Sequence, residues 1–182
     1  MSVEATMNKA IAAPAEALFN LKFHQVAIYC LDIQAAVARW IRMGYTNWSH
    51  DHALLDGIDR GDRVVKRAHM AFNYDILPLE LEYVSYMGPR NLRDQRDGSD
   101  PFLSHLSTMV EDVDETAARL LADFGLAPYH QFVTRNHSNP HVKGKKRFKE
   151  AIYDTTPLLG FDIKLIQRIP WDYGDSQATP QG

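Results

Sequence analysis

The sequence predicts an α+β fold: two tandem βαβββ modules forming one curved mixed sheet around a cleft, with the helices on its outer face. Three observations predict it. First, one pattern occurs twice, as QVAIYCLDIQAAVARW from Gln25 and as HLSTMVEDVDETAARL from His105. Aligned without a gap, it sets Gln25 on His105, Asp32 on Asp112, Ile33 on Val113, Ala38 on Ala118 and Arg39 on Arg119. Second, each copy passes from strand-like alternation to helical spacing and finishes at a glycine, Gly44 or Gly125. Third, strand-like pieces follow each glycine.

The elements follow in order. Residues 1–21 are rich in alanine and are expected to form an arm. In the first opening strand Gln25, Ala27 and Tyr29 share one face, and Val26, Ile28 and Cys30 share the other. By this alternation His24 points to the helix-covered side. Asp32 and Asp112 stand where a helix N-cap is wanted, with carboxylates able to accept from unpaired first-turn amides. Ile33, Ala36, Val37, Trp40 and Ile41 then recur at helical spacing, as do Val113, Ala117, Leu120, Leu121 and Phe124. These stripes are read as core. Further strands are expected from Arg63 and Leu77 in the first module, and from Leu126, Lys146 and Gly160 in the second. Met87 to Pro101, rich in Gly, Pro and charge, reads as a linker. The modules are thus residues 22–86 and 103–170 of a domain spanning 22–170, and the polar segment 171–182 is expected to be disordered.

The composition excludes several classes. Of 182 residues, 45% are hydrophobic and 24% charged, enough apolar material for a sizeable core. A formal charge of −3 gives no general attraction to nucleic acid or to an anionic membrane. No apolar run approaches a membrane span, and the first residues do not read as a secretory signal. The single cysteine, Cys30, rules out an internal disulfide framework and suits a reducing compartment, so a cytoplasmic location is expected. In its buried strand Cys30 reads as packing.

Charge inside the predicted cleft marks the candidate site. The helices cover the outer faces, so the opposite strand faces line the interior, and Gln25 and His105 should approach each other across a pseudo-twofold axis. Glu80 and Glu82 share one face of a late strand, and Asp162 and Lys164 share the matching face in the other module. Buried charge is costly unless it is paired or bound to a metal.

The duplicated βαβββ pattern resembles the vicinal oxygen chelate superfamily, the group of glyoxalases, methylmalonyl-CoA epimerases, extradiol dioxygenases and bleomycin resistance proteins. The resemblance spans about residues 22–170 and rests on the opening motif, a ligand position followed seven residues later by Asp, at Gln25 to Asp32 and His105 to Asp112. LELEYVSYMGP resembles the segment carrying the second ligand, with Glu82 favoured over Glu80, and GFDIKLIQ resembles the closing strand. The resemblance implies a divalent ion (Zn, Ni, Co, Mn or Fe) held by Gln25, Glu82 and His105, with His24 able to complete a two-histidine, one-carboxylate set. It implies Lewis-acid chemistry on a small oxygenated or carbonyl-containing molecule, by an isomerase, lyase or dioxygenase, and a homodimer.

One departure is Lys164, which takes the place of the closing glutamate. Its ammonium cannot be a ligand, and it is expected to pair with Glu82 and replace the ion, or to act as a base if desolvation lowers its pKa. Asp162 could restore the ligand set, and Glu80 or Asp162 could shuttle a proton. The alternative is a non-catalytic protein of the same fold that sequesters a small molecule between tyrosines, Tyr29 and Tyr83. His50 and His52 are read as lying in a surface loop, able to touch a metal or substrate. Lys145, Lys146 and Arg147 belong to a basic loop expected to attract a phosphate, carboxylate or CoA-like anion.

Overall fold

The computed structural model describes residues 21–87, 100–136 and 146–170. In chain order these form β1 (Phe23–Tyr29), α1 (Ile33–Arg42), β2 (Trp48–Asp59), β3 (Asp62–Asn73), β4 (Glu80–Met87), β5 (Phe102–Met109), α2 (Val113–Phe124), β6 (His130–Asn136), β7 (Lys146–Tyr153), α3 (Thr156–Leu159) and β8 (Asp162–Ile169). Each module is βαβββ, as expected, the second carrying the single turn α3 before its last strand. The expected arm (but for Leu21), most of the linker, Lys145 and the tail lie outside the described residues. None of the described helices is long and apolar enough to cross a membrane.

Both helices start where the sequence places them. Asp32 Oδ1 accepts from the Ala35 amide at 2.8 Å. Asp112 Oδ1 accepts from the amides of Asp114 and Glu115 at 2.8 and 2.9 Å, and Gly125 closes α2 at φ 68°, a left-handed conformation suited to glycine. Helix α1 buries Ile33 and Val37 against Ala71, Leu81 and Tyr83; each such aliphatic side chain contributes about 1.5–3 kcal/mol. Helix α2 buries Val113 and Leu120 against Ala151, Tyr153, Ile163 and Leu165.

The eight strands close into a barrel in the order β1-β4-β3-β2-β6-β7-β8-β5. The modules meet at two antiparallel seams, β1 with β5 and β2 with β6. Within each module the first and last strands pair in parallel. The β2–β3 hairpin turns through Arg60 and Gly61, both at positive φ, the two-residue turn that matches strand twist. A third core fills the barrel, from Ala27, Ala53, Leu55, Val64, Ala68, Met70, Phe72, Val84 and Phe132.

Three expectations need correction. NWSHDHALLDG is not a surface loop: from Trp48 onward it belongs to β2, with Ser49, Asp51, Ala53 and Leu55 buried and His50 and His52 on the other face. Arg147 is not in the basic loop: it is buried on β7, the strand expected from Lys146. Tyr83 faces α1, where its hydroxyl accepts from Trp40 Nε1 at 2.9 Å, and is no part of the interior.

Candidate active site

Strand register builds the site as two adjacent rungs across β4, β1, β5 and β8. One rung reads Glu80, Gln25, Ser107, Lys164, and the next reads Glu82, Ala27, His105, Asp162. Under the pseudo-twofold, Gln25 answers to His105 and Glu82 to Lys164. These side chains line the barrel interior, joined by Glu150 from β7 and Tyr86 from β4.

Gln25 sits between two partners. Its Nε2 donates to Glu80 Oε1, and its Oε1 accepts from the Ser107 hydroxyl at 2.6 Å. Burial pushes the Glu80 carboxyl upward against the hydrogen bonds from Tyr74 and Gln25. In the second rung Ala27 is only a methyl group. Glu82 and His105 therefore reach over it from the flanking strands, and Glu82 Oε2 stands 3.6 Å from His105 Nε2. That is too long for a hydrogen bond. Both residues are buried, at 2% and 1% exposure, and neither atom has a hydrogen-bond partner. His105 Nδ1 is 3.0 Å from the Ser104 hydroxyl.

Lys164 is buried too, with its Nζ 3.3 Å from Glu150 Oε2. The expected direct pair with Glu82 is therefore replaced by one with Glu150. Burial works against the Lys164 ammonium, but Glu150, Glu82 and Glu80 outweigh it and hold its pKa above the ordinary lysine value. A lysine base of lowered pKa is thus not what the geometry provides. Burial also opposes charge on Glu82, yet Lys164, His105 and His24 hold that carboxyl below its usual value. His105 is pushed down by burial and then by Lys164, so it is a neutral imidazole near pH 7.

The remaining candidates fall in different places. Asp162 accepts from Tyr129 at 2.5 Å and from Thr156 at 2.6 Å, which anchors α3 to the barrel. Tyr29 is interior, as expected, but stacks on Phe102 with ring centroids 4.9 Å apart. His24 lies at a register shift between Phe23 and Gln25. Burial and then Lys164 lower its pKa while Glu82 raises it, and its Nδ1 is buried without a hydrogen-bond partner. It thus feels the interior charges despite the alternation that assigned it to the helix side. Glu150, Tyr86 and Ser107 escaped the sequence reading. Glu150 was legible, since Phe148, Glu150 and Ile152 alternate with Arg147, Lys149 and Ala151 along the strand expected from Lys146.

A second buried cluster lies at another level of the barrel. Asp59 Oδ2 accepts from Lys66 Nζ at 2.7 Å, and its Oδ1 is 2.6 Å from His130 Nε2. A surface cavity of about 420 Å³ lies on the outer side of β2, β3, β6 and β7, lined by Arg63, Arg135, Arg147 and Asp56 together with apolar residues. It contains none of the rung residues.

Of the candidate ligands, Glu82 Oε2, His105 Nε2 and His24 Nδ1 have no hydrogen-bond partner, whereas the others are engaged within the protein. Gln25 Oε1 is taken by Ser107, and Glu80 Oε1 and both Asp162 oxygens are taken by protein donors. Lys164 places a cation where the fourth ligand would stand. Among the described residues no three His, Cys, Asp or Glu side chains are arranged around one ion.

No protein-family model matches the chain, and no curated protein sequence matches it. Among solved structures it is similar to methylmalonyl-CoA epimerase from Mycobacterium tuberculosis, with 15% identity and a TM-score of 0.51 over 81% of this chain and 88% of that one. It is similar also to a hypothetical protein from Bacillus halodurans, with 13% identity and a TM-score of 0.51 over 83% of this chain and 96% of that one. The chain has the vicinal oxygen chelate fold. Within that fold the paired βαβββ modules bring opening and closing strands together at the centre, and the two rungs described above occupy that position.

Proposed function

We propose that the protein is an isomerase or lyase that moves a proton on a small carbonyl-bearing molecule, with a buried lysine and no resident divalent ion stabilising the developing negative charge. The observation that carries this reading is the facing pair of buried, unbonded atoms, Glu82 Oε2 and His105 Nε2, beside the Lys164 ammonium. Glu82, kept ionised, takes the proton from carbon next to the carbonyl. Lys164, fixed by Glu150, provides the positive charge that an enolate oxygen requires; such preorganised charge is worth most where water is excluded. His105, neutral, can accept the proton from Glu82 and return it, and Glu80, whose carboxyl burial holds above its usual pKa, is the next carboxyl in the adjoining rung. The similarity to a protein named as an epimerase supports proton transfer as the reaction class.

Solvent-deuterium exchange tests the reading. A panel of small 2-oxo acids, 2-substituted carboxylates and thioesters is incubated in D2O with chelator-treated protein and followed by proton NMR. Wild type is expected to exchange the carbon-bound proton of at least one member, and Glu82→Gln to be slower by roughly 10²–10⁴-fold, the contribution of a positioned base. A wild type that exchanges none of the panel overturns the proposal in favour of a binding protein. Exchange that is equally fast in Glu82→Gln overturns it as well.

A further inference from the structure

Away from the interior, the outer face of the β2–β3 hairpin carries three imidazoles that the proposed chemistry does not use. His50 and His52 are two residues apart on β2 and so share a face. His69 on β3 lies directly opposite His52 in the antiparallel register. His50 Nδ1 and His69 Nε2 are 3.4 Å apart, and the rings of His52 and His69 stack with centroids 4.6 Å apart.

We propose that His50, His52 and His69 form a binding site for one transition-metal ion of the zinc and copper class on the outer face of the hairpin. The geometry supports this in two ways. Two nitrogens bound to one tetrahedral zinc at 2.0–2.1 Å stand about 3.3–3.4 Å apart, which is the separation His50 and His69 already have. The third imidazole hangs from the residue directly across from His69, and cross-strand neighbours have Cβ atoms about 4.5–5.5 Å apart.

The three rings do not yet surround one point, because His52 lies flat against His69. His52 is exposed, so exchanging one staggered rotamer for another is open to it without disturbing the core. Three imidazoles leave a fourth position for water or an external ligand.

Titration calorimetry of the untagged full chain with Zn²⁺ and with Cu²⁺ tests the site, supported by the visible spectrum of the Co²⁺ form. A single ion per chain is expected, with tetrahedral Co²⁺ absorption. His52→Ala, an exposed change that leaves the core intact, should weaken binding by at least about tenfold, the loss typical even of outer-shell partners, and His69→Ala should do the same. His105→Ala should bind like wild type. No stoichiometric binding to wild type overturns the proposal. So does binding unchanged in both His52→Ala and His69→Ala, or binding lost in His105→Ala.

Discussion

Ala27 lies between Glu82 and His105 in the sheet, and its methyl group is short enough for the two longer side chains to meet above it. Ala27→Leu should therefore overpack the barrel, costing about 1–3 kcal/mol, and part the carboxylate from the imidazole; a lower urea midpoint with deuterium exchange abolished is the expected result. Lys164→Met removes the cation while Glu150 and Glu82 stay buried. Breaking such a cluster costs about 3–5 kcal/mol, and adding Glu150→Gln should recover part of it in the same unfolding measurement. The pH dependence follows from the directions of the shifts. Burial, with Lys66 and Arg60 adding to it against the pull of Asp59, lowers His130 to about 4, whereas an unfolded histidine titrates at about 6.5. The unfolded chain then binds more protons, so this contribution is complete above about pH 6.5 and is lost as the pH falls toward 4. Glu82, with its pKa depressed, loses its contribution only at lower pH, and Lys164, with its pKa raised, keeps its own until strongly alkaline pH. Urea midpoints should fall between pH 7 and pH 4.5, and His130→Asn should flatten that fall. His105, Glu82 and Lys164 were legible in the sequence because a repeat and a two-residue alternation suffice to place them. Glu150 as the partner of Lys164 was not, since that contact depends on how β7 registers against β8.

At the scale of elements, the two N-caps differ by one hydrogen bond. Asp112 accepts from two amides of α2 and Asp32 from one of α1. Replacing either by Ala should cost about 1 kcal/mol, with Asp112→Ala the more costly by urea denaturation. Both helices were legible because cap, apolar stripe and terminal glycine agree. Strand β2 was not. Ser49 and Asp51 on its inner face and His50 and His52 on its outer face make both faces polar, which erases the alternation that identifies a half-buried strand. Strand β7 was legible, starting at Lys146 as expected, with Phe148, Glu150 and Ile152 turned inward. His24 shows the limit of alternation itself, because one register shift changes the surroundings of a side chain.

For the whole molecule, the β2–β6 seam depends on Gly57. A Cβ built there would lie 1.9 Å from the Gln131 carbonyl oxygen, in the backbone of the partner strand. Gly57→Ala must push the two modules apart along that seam. Its expected effect is a lower melting temperature, with hydrogen exchange accelerated in β2 and β6 more than across β1 and β5. The tandem architecture was legible from the repeat, but closure of the sheet was not, because it is decided by pairing between residues far apart in sequence. Closure also bears on self-association. Among the described residues the sheet ends where it began, so every strand has a neighbour on each side and none is a whole edge strand for a neighbouring copy or an extended peptide to extend. Contacts with other chains then fall chiefly to side chains, on the helix-clad flanks or on the bare outer surfaces of the hairpins.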